Sequence, residues 1–588
     1  MITKIRLFKM RVVAIVATLL FIHAILVAYA ATCHSPTYNE PAHLVAGAYN
    51  WKFTRFDLYR VNPPLARCIA SIPVLLSDCD FDWSRYYDSV VSRPEFAVGS
   101  DFIAANGKRS EWLLVISRWA CIPLSLIGAA VAFRWARELY GSVCSGFIAL
   151  ALWCFSPNMM AYAELITSDV AASTFGLLAT YALWKWLKHP TVFYCIAAGV
   201  CLGIAQVSKM SWVILFGLWP LIWLVWVLAT PSLRNDWRKW LQLGWQLCSI
   251  LVLAVYLLNL FYLFDGSFTK LKEYEFVSAA LAGEENAGAG GNRFRGSILA
   301  EIPVPLPEQY LSGIDVQRRD FESYSEPSFL LGQWKFGGWW YYYLYALTVK
   351  VPHGTQLLVF GSLLSLLALP IRCPSTKSEF VLLFPGIALF CLVSSQTEFN
   401  HHFRYVLPCL PFAYVFAGRV GAFIGNKHSW SPCRSKWVVA FVCASVLMTF
   451  LGSASAYPDE HAYFNELSQI TSTGTPLLHS SIEWGQTLKG LAVGMRGRHT
   501  DVIVAIERPA PYDLRKLYSH LSFWDPSNDS TERLVNPHTV IAVSRTFESW
   551  LYSGSSYLSR QELRLREALE TKQERIHVTT GFTIYSCR

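Results

Sequence analysis

The sequence predicts a polytopic α-helical membrane protein with a small α/β domain at its C-terminal end. Three observations predict it. Of 588 residues, 53% are hydrophobic and 15% charged, whereas a typical soluble domain carries about 25% charge. The apolar residues gather into about eleven runs close to the roughly 20 residues that cross a bilayer core, and basic residues punctuate alternate gaps between them. This composition excludes an ordinary soluble protein and a disordered one. The formal charge of +9 would suggest nucleic acid only if it clustered on a folded surface, so no nucleic-acid partner is expected.

The runs centre on 12–31, 112–133, 143–160, 169–187, 191–207, 211–230, 242–264, 354–371, 380–396, 404–424 and 437–456. Ala28-Tyr29-Ala30 resembles a signal-cleavage site. The apolar stretch before it is longer than the roughly 7–15 residues of a signal core, so it reads as an uncleaved anchor. With the N-terminus inside, the inner segments hold Lys4, Arg6, Lys9, Arg11, Arg134, Arg137, Lys185, Lys188, Arg234, Arg238, Lys239, Arg372, Lys377, Lys427, Arg434 and Lys436 against Glu138, Asp236 and Glu379, the positive-inside pattern. The long hydrophilic pieces 32–111, 265–353 and 457–588 then face outward. The expected organisation is a membrane domain over 1–456 and an extracytoplasmic domain over 457–588.

In the tail, Asp501–Ile506, Thr539–Val543 and Phe582–Tyr585 read as strands and 559–575 as a charged helix. The Gly/Ala/Asn-rich stretch Ala282–Asn292 is expected to be mobile without ligand. No internal repeat is visible, so an inverted-repeat transporter finds no support. The 15 cysteines are too dilute for a disulfide scaffold and mostly sit in apolar runs, with no CxxC metal spacing.

Ionisable groups at membrane depth are costly and so are functional candidates. Glu40 and His43, three residues apart after the first run, share a helix face suited to general-base work; a helix-start acid with a polar interfacial histidine is the plainer reading. Glu164 and Asp169 lie in the outer turn before the fourth run, where helix capping by Asp169 is the alternative. His401 and His402 are adjacent and point apart on most backbones, which disfavours a metal site. Arg404 enters a run and needs an anion. Lys350 closes the aromatic stretch Gly337–Tyr345, and Arg60 and Arg67 flank Asn62-Pro63-Pro64-Leu65. The aromatic stretch reads as an interfacial belt before a sugar platform, and snorkelling explains Lys209 as well as a site does.

The inner loops are too short to build a nucleotide domain, and no GxxxxGK or strand-linked GxGxxG occurs. An activated donor must therefore reach the outer face, which a lipid-linked donor does by lying in the bilayer. A transporter or flippase of lipid-linked sugars is the competing class, but it needs polar residues across the bilayer and most charges here sit at one edge. A non-catalytic assembly factor is the third reading.

These clusters, in this order, resemble the polyprenol-phosphate-sugar glycosyltransferases of the GT-C fold, which include protein O-mannosyltransferases and lipid A aminoarabinose transferases. The family's acidic pair and following histidine match Asn39-Glu40 and His43. Its His/Lys-Pro-Pro-Leu matches Asn62-Pro63-Pro64-Leu65, its second-loop acid matches Asp169 or Glu164, and its Arg-Tyr-x-Leu-Pro matches Arg404-Tyr405-Val406-Leu407-Pro408. Tyr463-Phe464-Asn465-Glu466-Leu467 and Trp484-Gly485-Gln486 resemble bacterial members. The resemblance implies inverting transfer of a hexosyl or pentosyl group from a polyprenyl-phosphate carrier to a lipid, glycan or protein acceptor, outside a bacterial inner membrane. Asn39 stands where the family has an acid, which leaves Glu40 as first choice of base and Asp169 as second; Asn62 stands where it has His or Lys, which shifts phosphate recognition toward Arg60, Arg67, Lys350 or Arg404. A divalent cation, Mg or Mn, would share the phosphate as in some relatives, although no complete ligand set is visible.

The charge asymmetry predicts that alkaline phosphatase fused after Arg588 is active in intact cells. Activity there of a reporter that works only in the cytoplasm would reverse the topology.

Overall fold

The computed structural model describes residues 2–89, 91–368, 376–424, 432–471, 474–496, 501–506, 512–526, 529–554, 558–572, 574–577 and 580–587. Every apolar run is helical. The helices are Ile2–Cys33, Arg109–Tyr140, Val143–Cys154 continued by Pro157–Ala163, Ser168–Lys188, Val192–Ser208, Ile214–Leu228, Trp237–Phe261, His353–Ala368, Thr376–Ser395, Leu410–Ala417 and Pro432–Ala456. Of the basic residues that orient the chain, Arg372 and Lys427 lie outside the described residues.

Among the described residues, 7 helical segments are long and apolar enough to cross a bilayer, and the pair Val143–Cys154 and Pro157–Ala163, bent by 58°, makes an eighth. The bend falls where Pro157 removes a helical N–H and pushes its predecessor to extended backbone; Ser156 then caps the new turn by accepting from the Met159 N–H. The expected eleven crossings are thus present as helices, while fewer meet the length and hydropathy of a crossing. Val192–Ser208 is short. Ser168–Lys188 is buried along nearly its whole length, so neighbouring helices cover it and it needs no lipid-facing apolar stripe. The chain is a multi-pass membrane protein.

Two strands, β1 (Ser328–Leu330) and β2 (Gln333–Lys335), form an antiparallel hairpin in the large outer loop. In the same loop, the stretch Ala282–Asn292 is bracketed by backbone pairing: Phe276 and Gly291 exchange backbone hydrogen bonds, and the Asn292 side chain donates to the carbonyls of Leu271 and Tyr274. The glycines of this stretch permit a tight return that backbone pairing then holds.

The tail carries β3 (Asp501–Ala505), β4 (Leu521–Phe523), β5 (Thr539–Ser544), β6 (Glu574–His577) and β7 (Phe582–Ser586) in the order β4-β3-β5-β7-β6. β3 runs parallel to β4 and β5, and β7 is antiparallel to β5 and β6. Side chains alternate between faces along a strand, so one face divides from the other residue by residue. Val502, Val504, Val540, Ala542, Phe582 and Ile584 join the main core shared with the membrane helices. Ile503, Ala505, Ile541, Val543 and Tyr585 pack on Phe547, Leu551, Leu565 and Leu569 of the covering helices Arg545–Leu551 and Arg560–Glu570. The helix read over 559–575 is Arg560–Glu570, opened by a capping box on Ser559 and Glu562.

The tail is tied to the first outer loop through backbone. Tyr38 N–H donates to the Trp484 carbonyl at 3.1 Å and Ser35 N–H to the Gln486 carbonyl at 3.0 Å. Gly485 between them has φ +97°, and a Cβ there would come within 3.1 Å of the Pro36 carbonyl oxygen, so the close approach requires glycine.

Beneath this contact lies a buried ion pair. Arg118, on Arg109–Tyr140, grips Glu40 with two hydrogen bonds of 2.8 and 2.6 Å and also donates to the carbonyls of Ala31, His34 and Ser35. Glu40 accepts in addition from Thr37 and from the Ile166 N–H. Both side chains are fully enclosed. Removing one member of such a pair strands a buried charge, at a cost of about 3–5 kcal/mol. Glu40→Gln should therefore lower the thermal midpoint in detergent by that equivalent; a variant as stable as wild type would deny the pair its bracing role.

Candidate functional site

A cavity of about 970 Å³ opens where the first outer loop, the large outer loop, the segment around Phe399–Tyr405 and the tail meet. Asn39, His43, Asp169 and Arg404 line it, with Tyr59, Asn62, Arg93, Lys209, Tyr405, Glu483 and Trp484. Of the residues expected from sequence, Glu40, Arg60, Arg67, Glu164 and Lys350 are not on its wall.

Each of those absences has a visible cause. Glu40 spends its oxygens on Arg118, Thr37 and Ile166, and the field of Arg118 with these hydrogen bonds holds its carboxyl low against the burial that would raise it. Arg60 is engaged by Gln309, the Ser89 carbonyl and Asp88. Arg67 donates to Asn50 and to the Tyr59 carbonyl. Glu164 faces His34, 2.9 Å away, and His34 also meets Asp459 at 2.8 Å. Burial alone would lower His34, but the two carboxylates hold its imidazolium up to about 10. Lys350 donates at 2.7 Å to the carbonyls of His461 and Ser481. In the aromatic stretch, Tyr342 and Tyr343 are core residues and Trp340 and Tyr341 are exposed; none lines the cavity.

On the wall, charge is unevenly matched. Asp169 accepts from the Lys209 ammonium at 2.6 Å and is close enough to Arg404 to feel its charge. Arg404 lies 3.9 Å over the Trp484 ring and 5.7 Å over the Tyr405 ring. Its Nε is sealed from solvent without a hydrogen-bond partner, and among the described residues it makes no ion pair. Arg93, by contrast, is paired with Glu95 and Asp320. His43 packs on Tyr59 at 4.8 Å, and burial together with the charge of Arg67 lowers it to about 3, so it is neutral. His402 hydrogen-bonds Ser480. Lys209 bonds Asp169, and Arg404 faces the same carboxylate's field without an ion pair among the described residues.

Residues 108–262 match the family model of the dolichyl-phosphate-mannose-protein mannosyltransferases. Of the motifs that carried the resemblance, only the second-loop acid, Asp169 or Glu164, lies in this stretch. The stretch holds Asp169 and Lys209 of the cavity wall, with Arg118 and Glu164 behind it, and leaves Arg404 and the tail outside. No curated protein matches the sequence. Among solved structures the chain is similar to ArnT from Cupriavidus metallidurans bound to undecaprenyl phosphate, at 14% identity over 98% of this chain and 97% of that one, with a TM-score of 0.40. It is also similar to the archaeal oligosaccharyltransferase AglB from Archaeoglobus fulgidus in complex with an inhibitory peptide and a dolichol-phosphate, at 11% identity over 97% and 74% of the two chains, with a TM-score of 0.43.

Mannosyltransferase-like enzymes that use a divalent cation need several oxygen ligands free to converge. Here Asp169 is bound to Lys209, Glu40 to Arg118 and Glu164 to His34, and among the described residues no three His, Cys, Asp or Glu groups converge on a metal position. The residues do not fit such an ion; an ammonium sits on the carboxylate that would hold it.

Sequence reasoning had no means to rank Lys209, which a snorkelling cation imitates, and passed over Glu483, although it adjoins the Trp484-Gly485-Gln486 motif. Burial lowers Lys350 to about 7. Between about pH 7 and its ordinary value the unfolded chain then binds the proton that the folded one has lost, so this residue's contribution to stability rises with pH over that window. The difference in thermal midpoint between wild type and Lys350→Met should therefore grow in favour of wild type from pH 7 to 9; a pH-independent difference would show a Lys350 that stays charged.

Proposed function

We propose that this protein is an inverting GT-C glycosyltransferase that moves a sugar from a polyprenyl-phosphate carrier to a hydroxyl of a lipid, glycan or protein acceptor, on the extracytoplasmic face of a bacterial inner membrane. The observation that carries the reading is Arg404, a guanidinium held in an aromatic stack on the cavity wall with an unsatisfied Nε and no ion-pair partner among the described residues. An Arg fork in a low-dielectric wall calls for a carboxylate or phosphate, and the chain lacks a nucleotide-phosphate motif that would supply one from the cytoplasm. The match of residues 108–262 to a lipid-phosphate-mannose family supports the same donor class.

In this reading Arg404 and Lys209 bind the carrier phosphate. As the bond from the sugar's anomeric carbon to the phosphate oxygen breaks, charge accumulates on the phosphate, and prepositioned cations stabilise it without reorganisation. The acceptor oxygen bonds the anomeric carbon from the opposite face, and its proton passes to a carboxylate on the cavity wall. Asp169 orients Lys209 toward the phosphate. Asn39 and His43 offer uncharged contacts to the sugar.

Arg404→Ala removes a charge-assisted contact worth about 1.5–3 kcal/mol. Affinity for undecaprenyl phosphate, measured by titration calorimetry in detergent, should fall about 10- to 100-fold while the thermal midpoint stays near wild type. Unchanged affinity in a folded variant would sink the phosphate assignment.

A further inference from the structure

The cavity wall carries four carboxylates: Asp169, Asp320, Glu326 and Glu483. Three are unsuited to receive a proton beside the anion site. Asp169 is bonded to Lys209, Asp320 to Arg93 and Arg319, and Glu326 is exposed at the rim. Glu483 differs from all of them. Among the described residues no cation bonds it; one oxygen accepts from the Gly485 N–H at 2.6 Å and the other from the Thr487 hydroxyl, and the Thr487 backbone donates as well, so neutral donors hold this carboxylate on the cavity wall.

Its placement is not incidental. Glu483 directly precedes Trp484, whose carbonyl receives the Tyr38 N–H and whose ring supports Arg404. The same backbone contact holds Glu483 on the cavity wall that Asn39, an amide that cannot accept a proton, and Arg404 also line.

We propose that Glu483, delivered by the C-terminal domain, is the catalytic base that takes the acceptor's proton. The acceptor O–H bond breaks, its electron pair forms the new bond to the anomeric carbon, the carrier phosphate leaves with the old one, and the proton resides on Glu483 until solvent removes it. The assignment rests on the glycosyltransferase reading above. Burial pushes the Glu483 carboxyl up to about 7, against the pull of Thr487 and Gly485, and the charge of Asp459 raises it further; the Tyr512 hydroxyl is a further titratable group that feels its charge. A base in this range combines availability with proton affinity near neutral pH. The ionised form is the active one, so turnover rises with pH up to about 7.

The test uses full-length protein in detergent, undecaprenyl-phosphate-linked mannose, glucose and 4-amino-4-deoxyarabinose as donors, and extracted membranes of the source cells as acceptor. Glu483→Gln should lower release of undecaprenyl phosphate by about 10²–10⁴-fold, leave affinity for undecaprenyl phosphate within twofold, and abolish the rise in rate below pH 7. Glu483→Asp, which keeps a carboxylate on a shorter arm, should retain part of the rate and the pH dependence. A Glu483→Gln protein that turns over within threefold of wild type, or keeps its pH profile, overturns the base assignment alone. Wild-type protein that neither binds undecaprenyl phosphate nor releases it from any donor overturns the glycosyltransferase reading, and the base assignment with it.

Discussion

The architecture around the cavity depends on the Arg118 guanidinium. It is buried in a membrane helix, and taking such a charge out of water costs several kcal/mol unless its donors and charge are all met. The protein meets them with five hydrogen bonds from three nitrogens, two to Glu40 and three to the carbonyls of Ala31, His34 and Ser35. Those acceptors bring the end of the first helix, the turn after it and the start of the next helix to one point. Glu40 extends the arrangement by accepting from Ile166, which fixes the turn that leads into Asp169. A carboxylate that looks catalytic by spacing is thus tied to Arg118 and anchors the segments that carry the cavity wall.

From that anchor the cavity's electrostatics follow. The turn 35–38, held by Arg118, offers the N–H groups of Ser35 and Tyr38 to the tail. The tail answers with Trp484, on whose face Arg404 rests. A cation stacked on an aromatic ring is attracted by the ring's quadrupole yet keeps its in-plane donors free, so Trp484 holds Arg404 in place without consuming what a phosphate would bind. Lys209 is held differently, by a carboxylate that cancels part of its charge. One cation is thus kept whole and the other half-neutralised.

How far the sequence carried depended on the range of the interaction being read. Crossing a bilayer requires an unbroken apolar run, so the helices were legible from composition alone, and the break at Pro157 only divides one of them. The three tail strands read from alternation were found because a sheet with two buried faces still bounds its runs with turns, whereas β4 and β6 are too short to announce themselves. The site was less legible. Glu40 and His43 share a helix face in sequence spacing, yet one lies on the cavity and the other behind it, since spacing gives adjacency and says nothing of which side faces the void. Arg404 was recognisable as a cation in want of an anion. Glu483 was not, because its role arises from a backbone contact between residues some 450 positions apart, and no local pattern encodes such a contact except the glycine it requires at 485.

That glycine points to why the tail belongs with the membrane part in function as well as in packing. Its sheet gives one whole face to the main core, so separating the two would expose Val502, Val504, Val540 and Ile584 to water along with the edge of the first outer loop. A domain attached by a linker alone would have closed its own core on both faces, as this one does on the side of Ile503, Ile541 and Val543. Burial on the other face fixes the tail's orientation to the precision of side-chain packing, and a carboxylate must be held that closely to meet an acceptor oxygen at hydrogen-bond distance. The neutral Asn39 and the tail's Glu483 line one cavity, and this packing keeps the carboxylate at a fixed place on its wall.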